Sequence, residues 1–207
     1  MSKAHKKGRN DCKYQENLIK QLIECQMDID KINLMTSKEM LDVEEKYEKL
    51  RQPLYKKRNE EIKRLPNFWA TSLINHDEII RHTGKEGLRS LANIEVENLG
   101  SVSKGYRIHL HFDDNPYFEN KVLTKEFRFG NKKGNWITST STPIKWKEGK
   151  QLAKQDPSML YNSFFDWFSD NNNPSFDHIG DYIRDDLWIN PLRYYVIDPE
   201  PGDESKN

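Results

Sequence analysis

An α+β fold, with a long leading helix and roughly four antiparallel strands packed with helices, is what the 207-residue sequence predicts. Three observations carry that prediction. A glycine-free stretch from Tyr14 to Leu65 repeats its apolar residues at helical spacing, alternating apolar and polar residues run in series from 94 to 129, and two helical patterns close the chain after residue 156. Only 35% of the residues are hydrophobic and 32% are charged, which is too polar for one compact globule. With 5 Trp, 9 Tyr and 9 Phe, the chain is equally too aromatic for wholesale disorder. A solvated, extended element joined to a packed, aromatic one satisfies both constraints.

In the long helix, Leu18, Leu22, Cys25, Ile29 and Ile32 step by 4, 3, 4 and 3. After an irregularity near Thr36, the residues Met40, Val43, Tyr47, Leu50 and Leu54 step by 3, 4, 3 and 4. This is a heptad-like seam on a helix otherwise covered in charged and polar residues. At 1.5 Å per residue the helix would be roughly 75 Å long, more than twice the width of a small domain. It cannot bury its seam on the rest of one chain, so a second helix is expected to cover it. Pro53 should kink or break the helix, the alternative being two helices joined at residues 51–53. Pro66 then closes the segment.

The next elements are shorter. FWATSLINH (68–76) reads as a buried helix, with another short one at 85–92 between loops marked by Gly84 and Gly87. IEVENL (94–99) alternates, and GYRIHLHF (105–112) places Tyr106, Ile108, Leu110 and Phe112 on one face. NPYF makes a turn, and KVLTKEFRF (121–129) runs back with Phe127 and Phe129 alternating against Glu126 and Arg128. NWITSTSTPIKW (135–146) supplies a last extended piece. Asp156 and Pro157 open the helix PSMLYNSFFDWFSD, as N-cap and first helical residue. Ser175 caps FDHIGDYIRDDLW, with Phe176, Ile179, Ile183 and Leu187 on one face, Asp177, Asp181 and Asp185 on another, and Pro191 at its end.

Charge and cysteine content exclude several classes. The formal net charge is zero, yet residues 1–20 carry six Lys/Arg against two acids, and residues 155–207 carry eleven acids against three Lys/Arg. That asymmetry points to a basic partner for the C-terminal quarter rather than to a general nucleic-acid binder. Cys12 and Cys25 are too few for a disulfide framework or a thiolate metal site, which fits a reducing compartment. No apolar run has the length of a signal peptide or a membrane span. KAHKKGR (3–9) reads as a solvated basic end, with nuclear import the alternative.

HLHFDD (109–114) puts His109, His111 and Asp113 on one side of a strand, close to a binuclear metal spelling. A usable site needs further ligands, and His5, His76, His82 and His178 show no companion spacing. The alternation already explains the segment as a half-buried strand, so no metal, cofactor or catalytic residue is assigned. Lys56, Lys57, Arg58, Lys63 and Arg64 read as the solvated face of the helix, because Glu60 and Glu61 interrupt them.

Four quoted stretches carry a family resemblance. KYEKLRQPLYKKRNEEIKRLPNFWATSLINH, GYRIHLHFDDNPYFENKVLTKEF, STPIKWKEG and DDLWINPLRYYV, in this order, closely resemble the nucleosome assembly protein family, within it the SET (template-activating factor) branch. The match runs from about residue 30 to 197.

The resemblance implies a histone chaperone. Long helices pair antiparallel in a homodimer, each carrying an α+β "earmuff" domain, and core histones bind the acidic underside. It divides the chain into a basic, flexible segment at 1–13, the dimerisation helix at 14–65, the earmuff domain at 66–198 and a tail at 199–207. Dimerisation is expected of the heptad seam, and histone contact of the aspartate stripe Asp177, Asp181 and Asp185 together with Asp166, Asp170 and Asp186, acting as many weak charged contacts. The resemblance further implies contact with DNA or chromatin only indirectly, no membrane or small-molecule substrate, and residence in nucleus and cytoplasm. Members of this branch carry a long acidic tail, whereas this sequence ends PEPGDESKN, so the folded surface is expected to supply the binding. Alternatives are a phosphatase-inhibiting regulator of the SET type and a coiled-coil scaffold.

Overall fold

A computed structural model of the chain describes residues 4–130, 137–152, 161 and 163–196, the first ten of these as backbone alone. The chain divides into two compact units, residues 1–51 and 52–207. Helix α1 (Ala4–Ile62) begins ten residues before the expected start, so the backbone of residues 4–13 is helical. The helix is continuous through Pro53, and no break occurs at residues 51–53. Pro53 is exposed, and it removes one ladder bond without ending the helix. The irregularity near Thr36 does not interrupt the helix either. Thr36 Oγ1 donates to Ile32 O at 3.1 Å and Ser37 Oγ to Asn33 O at 2.9 Å, which satisfies both hydroxyls inside the ladder.

The second unit is built on a four-stranded antiparallel sheet in the order β1-β2-β3-β4. The strands are β1 (Leu91–Asn98), β2 (Gly105–Phe112), β3 (Val122–Arg128) and β4 (Thr138–Ser141). Period-2 alternation places Ile94, Val96, Tyr106, Ile108, Leu110, Leu123 and Phe127 on the core face, all of them buried. Arg107, His109, Glu95, Glu97, Thr124 and Glu126 share the opposite, polar face. Gly105 is required at the start of β2, since its φ is +115° and a Cβ would stand 2.0 Å from Phe127 O.

Helices α2 (Phe68–Ile74), α3 (Asp77–Thr83) and α4 (Phe164–Ser169) supply much of the remaining core: Phe68, Trp69, Leu73, Ile79, Phe164, Phe165, Trp167 and Phe168 are all buried. Each such side chain contributes on the order of 1.5–3 kcal/mol through burial. The helix expected at 85–92 is instead α3, ending at Gly84, while residues 88–90 form one 3₁₀ turn and the strand starts at Leu91. His76 Nδ1 accepts from Ile79 N–H and caps α3, a capping role that the sequence reading did not consider. The last extended piece narrows to residues 138–141, with Trp146 bridging back to Phe118. Asp156 and Pro157 lie outside the described residues, and α4 is capped by Ser163 Oγ, which accepts from Asp166 N–H.

The final expected helix is three pieces. Pro174–Phe176 form a 3₁₀ turn, α5 (His178–Asp181) follows, and residues 182–187 continue as a wider π-helical segment in which Trp188 N–H reaches Ile183 O. Asp177, rather than Ser175, is the N-cap of α5. Phe176, expected on the apolar face, is 76% exposed. A further short helix, α6 (Leu192–Tyr195), starts just after Pro191.

Candidate functional site

Two surfaces hold the residues singled out by sequence. The first is the seam of α1. Leu18, Leu22, Ile29, Ile32, Met40, Val43, Tyr47, Leu50 and Leu54 are all exposed, from 41% at Leu18 to 69% at Leu22, and Cys25 is an exposed free thiol. Ile19, Ile23, Met27, Leu34 and Leu41 are exposed too, so the apolar surface is wider than the heptad count indicated. A patch of this extent is uncommon on a surface that faces only water.

The second surface is the acidic C-terminal block, and its aspartates do different things. Asp177 is interior, its side chain 7% exposed. Its Oδ1 accepts from Trp167 Nε1–H at 2.7 Å and from Gly180 N–H at 2.9 Å, while its Oδ2 lies 3.9 Å from Lys125 Nζ. Burial pushes its carboxyl above the usual range, a shift that those donors and the ammonium partly oppose. Asp170 Oδ1 accepts from Asn172, and its backbone C=O accepts from Lys125. Asp166 is half-buried on α4. Asp186 accepts from Tyr194 O–H at 2.6 Å and stands 3.5 Å from His76 Nε2.

Asp181 and Asp185 reach solvent, with side chains 53% and 60% exposed. Both pair with Arg184, whose guanidinium lies over the Tyr106 ring at 4.3 Å. The three aspartates read at i, i+4 and i+8 are therefore one cap, one residue of α5 and one on the wider turn, and only the last two form an exposed pair.

Lys125 was overlooked in the sequence, although the alternation with Leu123 and Phe127 places it inward. It is fully buried, and its Nζ donates to Asp170 O at 2.6 Å, Phe168 O at 3.2 Å and Trp167 O at 3.4 Å. The ammonium thus caps the C-terminal carbonyls of α4 beside Asp177, a favourable end of the helix dipole for a cation. Burial pushes its pKa down to about 8, with Asp177 and Asp170 opposing the shift.

Arg58 is also placed differently from its expected solvated face. Its guanidinium lies 4.9 Å from the Tyr55 ring and 4.7 Å from the Trp188 ring, and Nη1 donates to Trp188 O at 2.8 Å. Planar stacking of this kind suits arginine and not lysine. Lys63 and Arg64 are exposed and pair with Glu60 and Glu61.

His109 Nε2 is 3.3 Å from Glu97 and His111 Nε2 is 3.8 Å from Glu95, as diagonal pairs across β1 and β2. Among the described residues no three His, Cys, Asp or Glu side chains gather as a metal-binding group. None of the described helices is long and apolar enough to cross a membrane.

A long helix with an open apolar seam, leading into a four-stranded meander backed by aromatic helices, is shared with proteins of one family of histone chaperones, which is not a family of enzymes. The family model described as nucleosome assembly protein (NAP) matches residues 59–158. Protein SET of Drosophila melanogaster is 50% identical, over 90% of this chain and 77% of that protein. Protein SETSIP of Homo sapiens is 42% identical, over 96% and 71%. The crystal structure of nucleosome assembly protein S from Plasmodium falciparum superposes with a TM-score of 0.68 at 27% identity, covering 86% of this chain and 99% of that one. The chain belongs to the nucleosome assembly protein family, as the quoted motifs implied.

Proposed function

We propose that this protein is a homodimeric chaperone that holds core histones on an acidic surface of its α+β unit and promotes nucleosome assembly and disassembly. Family membership supports the chaperone reading, and the uncovered seam from Leu18 to Leu54 supports the dimer. The observation that carries the binding assignment is the exposed pair Asp181 and Asp185. Asp166, Asp170 and Asp186 add negative charge around it, whereas Asp177 serves by holding α5 in place. Many charged contacts of modest strength shield basic histone surface from non-specific collapse onto DNA and still release it to the nucleosome. The working compartments are nucleus and cytoplasm, and contact with DNA runs through the histone.

The test is binding of purified core histones across a salt series, by wild type and by Asp181→Lys/Asp185→Lys. Affinity that falls steeply with salt, and is weaker in the variant at moderate salt, supports the assignment. Unchanged affinity in the variant removes it.

A further inference from the structure

A groove of about 320 Å³ lies along the free edge of the sheet, between β1 and the last turns of α1. Its strand wall is Glu95, Val96 and Glu97, its helix wall includes Asn59 and Glu60, and Tyr55 and Trp188 also line it. The direction of the β1 backbone follows from the ladder. Leu99 N–H donates to Gly105 O, and residues 97, 95 and 93 pair with 107, 109 and 111 in the same phase. In an antiparallel pair the intervening residues point their N–H and C=O the other way. Val96 is one of them. It is only 8% exposed with its side chain in the core, so what it offers the groove is its outward backbone.

Two further features mark the groove as receptive. Asn59 is 9% exposed, and its Oδ1, buried on the helix wall, has no hydrogen-bond partner among the described residues. Such an acceptor costs on the order of 1–3 kcal/mol until a donor reaches it. Glu95 and Glu97, two apart on β1, point to the open polar face with side chains 49% and 51% exposed. Glu97 pairs with Arg107 at 3.1 Å and Glu95 accepts from Asn93 at 2.8 Å, so a basic ligand side chain shares these carboxylates with them. Among the described lining residues, Lys56 and Lys63 stand on the helix wall, while the strand side carries Glu95 and Glu97 with His109 beside them.

We propose that this groove binds a short extended peptide segment that adds to the edge of β1, with basic side chains opposite Glu95 and Glu97 and an apolar one between them. The Val96 N–H and C=O supply the main-chain bonds, and the alternation follows from the two faces of a strand. Basic residues at the outer positions form cross-strand pairs with the two glutamates. The central apolar side chain sits beside Val96 at the margin of the Tyr55 and Trp188 rings, over which Arg58 already lies. A donor of the segment satisfies Asn59. This surface is separate from the acidic block, and the proposal does not rest on the histone reading.

The test uses the full chain and a labelled Lys-Val-Lys-Val-Lys peptide, read by fluorescence anisotropy at moderate salt. Two control peptides accompany it: one methylated on both valine nitrogens, and one of the same composition ordered Lys-Lys-Lys-Val-Val. The alternating peptide should bind about tenfold more tightly than either control, the loss expected for one or two main-chain bonds and a broken alternation. Val96→Pro, which removes the outward N–H and also trims a core side chain, should abolish that preference in protein that still melts cooperatively, at a somewhat lower temperature. Asp181→Lys/Asp185→Lys should leave peptide binding unchanged. Equal binding of all three peptides, or none, overturns the proposal, and that comparison stands even if the proline variant does not fold.

Discussion

Lys125 shows how an interior cation is made tolerable, and what it costs. Its Nζ is the donor for the carbonyls that end α4, and Asp177 is its nearest carboxylate. Removing one partner of such a buried set leaves the others unpaired, so Lys125→Met should destabilise the fold by about 3–5 kcal/mol in chemical unfolding. The pH dependence has a definite sign. The folded pKa of about 8 lies below the ordinary 10.5, so between these values the unfolded chain holds more protons and the lysine's contribution to stability rises with pH. The gap between wild type and Lys125→Met should therefore widen from pH 8 to pH 10.

His76 behaves in the opposite pH range. Burial holds its imidazole below the ordinary 6.5, and Asp186 at 3.5 Å offsets only part of that. Unfolded chains then take up protons first as the pH falls through 6.5, and stability is lost on acidification. His76→Asn keeps a capping acceptor for α3 and removes the titration, so its melting temperature should fall less than wild type between pH 7 and 5.5. Neither role was legible in the sequence. A strand pattern places residue 125 inward whatever its type, but what satisfies its charge comes from residues 167–170, brought close only by the fold.

At the scale of elements, legibility tracked periodicity. The apolar face of β2 was read residue by residue, because one-sided burial demands period-2 alternation and Tyr106, Ile108, Leu110 and Phe112 obey it. The seam of α1 was equally plain, since a helix of 59 residues repeats its signal over many turns. The C-terminal block was misread where the period changes. A π-helical turn at 182–187 has no composition of its own, and Ser175 and Asp177 compete as caps. Gly180 was missed for a related reason, being needed where α5 meets the sheet. A Cβ there would stand 2.8 Å from the Phe127 ring, so Gly180→Ala should cost about 1–3 kcal/mol in an unfolding titration. For α1, Leu22→Asp with Val43→Asp should convert dimer to monomer in sedimentation while the melt of the α+β unit persists. Loss of both together would mean the substitutions act through folding rather than pairing.

On the scale of the whole molecule, charge separation does what net charge conceals. A chain of zero formal charge is net basic over residues 1–20, with six Lys/Arg against two acids, and net acidic over residues 155–207, with eleven acids against three Lys/Arg. Arg184, embedded in the acidic block, pairs with Asp181 and Asp185 and so lowers the local field that the composition alone implied. Replacing Arg184 with Gln should raise histone affinity at low salt and steepen its salt dependence, measured on the same purified histones.

The central claim is a dimer that binds core histones through its folded surface. Sedimentation equilibrium of the full chain, alone and with each core histone pair, measures both halves at once. The account predicts twice the 24.6 kDa of one chain at micromolar concentration and a further, salt-sensitive gain in mass with histones. A stable monomer, or a dimer that gains no mass at moderate salt, would contradict it.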